Sequence, residues 1–176
     1  MDFIVPLNFP LAQLDLSRKS GKVFVKCLIR RKEILLTPEE WVRQHIIAHL
    51  INDLNYPQTL VGVEKAIQYN GLTKRWDIVV FNSDFKPYLL VECKAPNIKL
   101  GTNTLQQALS YQHQLNCELI VISNGLETHT WQLNREALML EKLEKIPVNK
   151  GKWIFDKRLI NKENWLHRLI YFSVQS

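Results

Sequence analysis

Two runs decide the fold: Arg75-Trp76-Asp77-Ile78-Val79-Val80-Phe81 and, after a turn at Asn82-Ser83-Asp84, Pro87-Tyr88-Leu89-Leu90-Val91-Glu92-Cys93-Lys94-Ala95-Pro96. Both are rich in β-branched and aromatic residues and polar turn formers separate them, so they read as an antiparallel hairpin. Side chains alternate along a strand. Glu92 and Lys94 therefore share a face, roughly 6.6 Å apart, while Cys93 points the other way. Asp77 shares its face with Val79 and Phe81. A hairpin register that brings that face level with Glu92 gathers two carboxylates and an ammonium.

Such a cluster has a chemical use. Hard divalent cations such as Mg²⁺ take oxygen ligands, usually one or two carboxylates completed by waters and a substrate phosphate. Asp77 and Glu92 supply such oxygens; the ion polarises a scissile phosphate and lowers the pKa of a water, and Lys94 orients that water or offsets transition-state charge. The competing reading is an ordinary salt-bridged patch on an exposed sheet face. It weakens because both strands are strongly apolar, which puts the charges in a cleft or at a strand end, where unpaired burial is costly.

Outward from the hairpin, residues 38–53 form a helix with a clear beginning: Thr37 is the N-cap, Pro38 the first position, and Glu40 completes a capping box. Residues 23–30 and 33–36 read as a small hairpin before it, and 60–69 as a strand ending at Asn70-Gly71. Leu105, Ala108, Leu109, Gln112 and Leu115 give a helical stripe over 104–115 that sets Gln107 and Tyr111 on one face. Residues 118–122 and 128–133 are strands around Asn124-Gly125. Farther on, 135–144 reads as a helix through Ala137, Leu138, Leu140 and Leu143, and Trp165, Leu166, Leu169 and Ile170 suggest another.

Four motifs occur in order: Thr37-Pro38-Glu39-Glu40-Trp41-Val42-Arg43-Gln44, Val91-Glu92-Cys93-Lys94-Ala95-Pro96, Gln107-Ala108-Leu109-Ser110-Tyr111 and Ser123-Asn124-Gly125. Asp77 followed by Glu92-Cys93-Lys94 resembles the D…ExK signature of the PD-(D/E)xK nuclease superfamily, with Trp76 in place of the preceding proline. The whole set, over roughly residues 20–134, resembles the N-terminal nuclease domain of type I restriction enzyme R subunits. The resemblance implies an α/β (α+β) fold with a restriction-endonuclease-like αβββαβ core, its central mixed sheet flanked by helices. It implies Asp77, Glu92 and Lys94 as catalytic residues and Asp77 and Glu92 as ligands of Mg²⁺ or Mn²⁺. Related nucleases often add a glutamate from the first helix; Glu40 is the candidate, with Glu39 close behind, and capping explains Glu40 equally well. Gln107 and Tyr111 match a RecB-like Gln-x-x-x-Tyr motif that supports the site or contacts DNA.

The chain of 176 residues, 46% hydrophobic, can bury one substantial core. The expected organisation is a nuclease-like domain over 1–134, its core at about 20–134 and an extension at 1–19, with 135–176 packed on the same domain. These 176 residues contain no Gly-x-x-x-x-Gly-Lys-Ser/Thr loop, so no helicase motor is expected within them. Net charge is +6, and segments 1–37, 38–134 and 135–176 contribute +4, −2 and +4. An acidic centre suits a metal, and basic flanks (Arg30-Arg31-Lys32; Lys150, Lys152, Lys157, Arg158) suit DNA phosphates or a solvated surface about equally. Cys27, Cys93 and Cys117 lack metal or disulfide spacing, and Cys93 reads as a buried thiol. His45 and His49 lack the glutamate of a zinc-protease helix and read as a surface or core pair.

The N-terminus lacks a signal-peptide pattern and no stretch reaches membrane-spanning length, so a cytoplasmic protein is expected. The expected function is metal-dependent DNA cleavage in restriction, defence or repair, as a homodimer or within a larger assembly. The alternative is a non-cleaving DNA-binding module of the same fold inside such an assembly.

Overall fold

The computed structural model describes residues 3–69, 72–101, 103–104, 106–107, 109–110 and 117–150. In chain order these form β1 (Leu16–Lys19), β2 (Lys22–Lys26), β3 (Glu33–Leu35), α1 (Pro38–Asn52), a 3-10 turn (Gln58–Leu60), β4 (Val61–Tyr69), β5 (Leu72–Phe81), β6 (Pro87–Cys93), β7 (Leu119–Ser123), β8 (Thr128–Asn134) and β9 (Met139–Leu143). β1 to β3 make a small antiparallel sheet, and β4 to β9 a six-stranded sheet in sequence order. Within the larger sheet β6 and β7 run parallel and the other neighbours antiparallel. This is the mixed α+β class expected.

A parallel pair needs a crossover of a dozen or more residues, usually helical. Residues 94–118 supply it, and the described residues between 103 and 110 are helical; 111–115, the rest of the expected helix, lie outside the described residues. β7, between β6 and β8, is buried along its whole length, as its unbroken apolar run requires.

α1 begins where its signals put it, the Thr37 hydroxyl accepting from the Glu40 amide at 3.1 Å. The capping box, however, is half made: the Glu40 carboxylate turns inward to Arg43 and Gln44. The helix is buried on most of its surface because two sheets cover it. Val42, Ile46, Ile47 and Leu50 pack with Ile78, Val80, Leu89 and Val91 of the large sheet, each such burial contributing about 1.5–3 kcal/mol. On the other side Trp41 meets Val23, Val25 and Leu36.

Two expectations are corrected. The strand placed at 23–30 ends at Lys26 and gains a partner, β1, whose Leu-Ser-Arg-Lys has no apolar alternation to betray it. The helix expected at 135–144 is a turn followed by β9. Asn134 Oδ1 accepts from the amides of Glu136 and Ala137, starting a turn, and β8 offers an open ladder on which Leu140 pairs with Leu133 and Leu143 with Thr130. Local turn chemistry and an unpaired edge outweigh a four-residue apolar stripe. Ile146 packs into the main core, and the Asn149 amide donates to the Leu54 carbonyl at 2.8 Å. The second expected C-terminal helix, around Trp165, lies outside the described residues. Among those described, no helix is long and apolar enough to cross a membrane.

Candidate active site

The site forms where the central ladder breaks. β4 and β5 pair at Val63 with Ile78 and at Lys65 with Trp76, but skip Glu64 and Asp77. β5 and β6 pair from Val80 with Leu89 to Ile78 with Val91, and stop there. Glu64 takes a left-handed φ of 48°, which costs a non-glycine residue about 1–2 kcal/mol. Buried main-chain donors must still find acceptors. The Cys93 amide finds one in the Asp77 side chain, donating to Oδ2 at 2.7 Å.

The faces of β5 slip at the same point. Trp76 packs with Val79, Leu90 and Cys117, whereas Ile78 and Val80 pack beneath α1. Strict alternation would group Trp76 with Ile78. Asp77 accordingly does not follow Val79 and Phe81 but turns toward α1, where Arg43 Nη2 donates to its Oδ1 at 2.6 Å.

Arg43 is the hub of a buried ion network. Its Nη1 donates to the Glu40 carboxylate and lies 3.4 Å from Glu64 Oε1, while Arg30 pairs with the other Glu64 oxygen. Gln44 Nε2 donates to Glu40 Oε1 at 2.7 Å, and Gln44 Oε1 accepts from the Leu28 amide at 3.1 Å. Burial alone would lower the Arg43 guanidinium, but Asp77 and Glu40 outweigh it and hold it above its ordinary range. The fully enclosed Cys93 thiol is pushed up, first by burial and then by the Asp77 charge.

A second set lies on Glu92. Lys94 Nζ donates to Glu92 Oε1 at 2.8 Å, and Gln107 Nε2 reaches the same oxygen at 3.2 Å. Glu92 stands level with Ile122 of the parallel strand β7, and the Lys94 amide donates to the Ser123 carbonyl at 2.8 Å. Both backbone and side chain of Lys94 are thereby fixed. Cys93 links the two sets: its amide holds Asp77, and its neighbours in the chain are Glu92 and Lys94.

The residues singled out in the sequence thus fall into two linked groups: Asp77 with Glu40 through Arg43, and Glu92 with Lys94 and Gln107. Tyr111 lies outside the described residues. Glu40 is 3% exposed and reaches Asp77 through the Arg43 guanidinium; Glu39 is exposed on the helix surface. Asp77 and Glu92 are donors of the hard-oxygen kind, and two carboxylates completed by water meet the needs of Mg²⁺. Among the described residues, no three His, Cys, Asp or Glu side chains form a group able to hold a metal ion. A divalent ion here would rest on those two carboxylates.

Glu64 lies in none of the four motifs, and Arg43, although inside the first, was given no role of its own. The available signal was an acid after the apolar run Leu60-Val61-Gly62-Val63 and a cation next to Val42 and one turn from Ile47 on the first helix. Of the basic groups considered for phosphate, Arg30 is engaged by Glu64, and Lys152, Lys157 and Arg158 lie outside the described residues. His45 is a core histidine, its Nδ1 2.8 Å from the Trp41 carbonyl, and His49 pairs with Asp53. Cys27, Cys93 and Cys117 are buried free thiols.

Comparison with known proteins identifies a family. A family model described as "Type I restriction enzyme R protein N terminus (HSDR_N)" matches residues 38–147, from the start of α1 to beyond β9. No curated protein matches. Among solved structures, a fragment of a protein described as an HsdR subunit of a type I restriction enzyme from Vibrio vulnificus YJ016 aligns at a TM-score of 0.46 and 19% identity. The alignment covers 64% of this chain but 24% of that one, so the match spans about a quarter of the solved fragment. With the family model spanning well over half of its residues, the chain belongs to the family of type I restriction enzyme R protein N termini.

Proposed function

We propose that the chain is a Mg²⁺- or Mn²⁺-dependent deoxyribonuclease that hydrolyses phosphodiester bonds in restriction, defence or repair, acting as part of a larger assembly or as a homodimer. The observation that carries this is the 2.7 Å bond from the Cys93 amide to Asp77. It ties the acid of one strand to the residue that stands between Glu92 and Lys94. Cytoplasm, where DNA is reached directly, is the compartment this reading requires.

The divalent ion, when bound, supplies Lewis-acid polarisation of the phosphate. Asp77 and Glu92 would hold it. Gln107 and Lys94 both bind Glu92 Oε1 and so fix the rotamer of that carboxylate before substrate arrives. Lys94 carries the charge that offsets negative charge developing on the five-coordinate phosphorus, and its ammonium is a donor able to orient an attacking water. Arg43 orients Asp77 from the helix side.

Supercoiled plasmid incubated with Mg²⁺ or Mn²⁺, with and without chelator, tests the proposal against Lys94→Ala. Removing one preorganised electrostatic group costs about 10²–10³ in rate, so the parent should nick and the variant be nearly silent. Equal cutting by both would refute it. One observation favours a second reading, a DNA-binding module that no longer cuts: Asp77 Oδ1 is already taken by Arg43. Salt-sensitive binding without any cutting would support that module.

A further inference from the structure

Beside Lys94 lies a cavity of about 260 Å³, whose polar wall includes Lys94, Lys99, Asn103 and Gln107 and whose apolar floor includes Leu100 and Ile122. We propose that it is the subsite for one phosphate-sugar unit of a DNA strand, flanking the position to be cut, with Lys99 as its phosphate-binding cation. The location of the scissile bond rests on the nuclease reading; the binding site itself does not.

Charge is the first argument. Two lysines face the cavity, and none of its described lining residues is acidic. Their situations differ. Lys94 is held by Glu92, whereas Lys99 is exposed and has no ion-pair partner among the described residues, leaving its ammonium available to an anion. Size is the second argument. Pockets that enclose a whole small-molecule ligand run to roughly 300–1,000 Å³, so this one suits part of a chain that continues outside it. An apolar floor under a cationic rim matches a sugar and its phosphate.

The third argument is rigidity. Residues 94–101 are pinned at several points: the Lys94 amide to the Ser123 carbonyl at 2.8 Å, the Ile98 amide to the Ala95 carbonyl at 2.9 Å, and the Ile98 carbonyl to Asn124 Nδ2 at 2.8 Å. At the far end the Thr104 amide donates to the Gly101 carbonyl at 3.0 Å. The Ser123-Asn124 pair thus acquires a purpose. It holds the loop that presents Lys99, and a preformed wall loses little conformational freedom on binding.

The test is binding without cleavage. A labelled short single-stranded DNA oligonucleotide is titrated with the full chain in EDTA, by fluorescence anisotropy over a range of salt, for the parent, Lys99→Ala and Lys99→Arg. One phosphate contact accounts for about 0.7 in the slope of log K against log salt for single strands. Lys99→Ala should lower the slope by about that amount, and Lys99→Arg should restore it. An unchanged slope in Lys99→Ala overturns the proposal. So does competition by inorganic phosphate as effective per mole as by unlabelled oligonucleotide, which would mark a simple anion site. A lowered slope in a protein that never nicks plasmid keeps this inference and refutes the nuclease. Nicking with an unchanged slope does the reverse.

Discussion

Replacing Arg43 by methionine removes the hub of the ion network while keeping a long apolar stem. The Arg43 side chain is 7% exposed, and the three carboxylates it faces are 4% (Glu40), 19% (Glu64) and 19% (Asp77) exposed. Taking one partner from a buried ion pair commonly costs about 3–5 kcal/mol, since the charge left behind has neither water nor counter-ion. Arg30 still serves Glu64, and Gln44 still serves Glu40, so the expected loss lies within that range and not at a multiple of it. Urea unfolding of a domain this size has an m-value of about 2 kcal/mol/M. The midpoint of Arg43→Met should therefore fall by roughly 1.5–2.5 M. Lys19→Ala is the control, because the Lys19–Glu33 pair is 57% and 42% exposed and exposed pairs are worth about 0–1 kcal/mol. Adding Glu40→Gln to Arg43→Met should recover part of the loss, as coupled neighbours do. A midpoint for Arg43→Met no lower than that of Lys19→Ala would refute the view that this guanidinium holds the site together.

Two further outcomes follow from single residues. Burial lowers the His45 imidazole below its ordinary range, so the unfolded chain binds this proton near pH 6.5 while the folded one resists it. Stability from this group is complete above that pH and is lost as pH falls through it; His45→Gln should show a shallower decline between about pH 7 and 5, and identical pH profiles would contradict the assignment. Gly125 has φ of 84°, and a Cβ there would stand 2.7 Å from Leu7 Cδ2, on a segment whose Asn8 amide donates to the Gly125 carbonyl at 2.7 Å. Gly125→Ala should cost about 1–3 kcal/mol, read as a lowered thermal midpoint; an unchanged midpoint would refute both the backbone strain and the clash with Leu7.

What the sequence made legible was whatever depends on neighbours along the chain. The β5–β6 hairpin follows from two β-branched runs and a polar turn, α1 from Thr37 and Pro38, and the Glu92–Lys94 pair from a period of two. Gln107 was legible as a partner to that pair only through the motif, since nothing local says which strand its helix faces. The slip at Asp77 was not legible. It depends on a missing ladder contact to β4, and so on a residue thirteen positions earlier, Glu64, whose left-handed backbone no composition rule predicts. Arg43 was hidden for a related reason: a lone cation on a helix ordinarily marks the solvent face, and α1 has almost none because the small sheet covers its outer side.

These two hidden features explain each other. An interrupted ladder in the middle of an apolar sheet leaves main-chain donors without partners, and a buried donor left so costs about 1–3 kcal/mol. Asp77 meets that need at Cys93 by bringing its carboxylate into the gap, but a carboxylate there is a buried charge and requires a cation. Arg43 provides it, and the second and third carboxylates, Glu40 and Glu64, hold the guanidinium in place from the other side. The orientation of Asp77 is therefore set by backbone accounting and charge balance in the core, before any ligand arrives. Beside it, Glu92 stands near the end of β6, a strand flanked by β5 and β7 that cannot shift register without turning Val91 and Cys93 out of the core, and Lys94 follows directly after that strand. The acid on β5 and the acid–lysine pair at the end of β6 are thus held by the interrupted ladder, the core and their own ion partners.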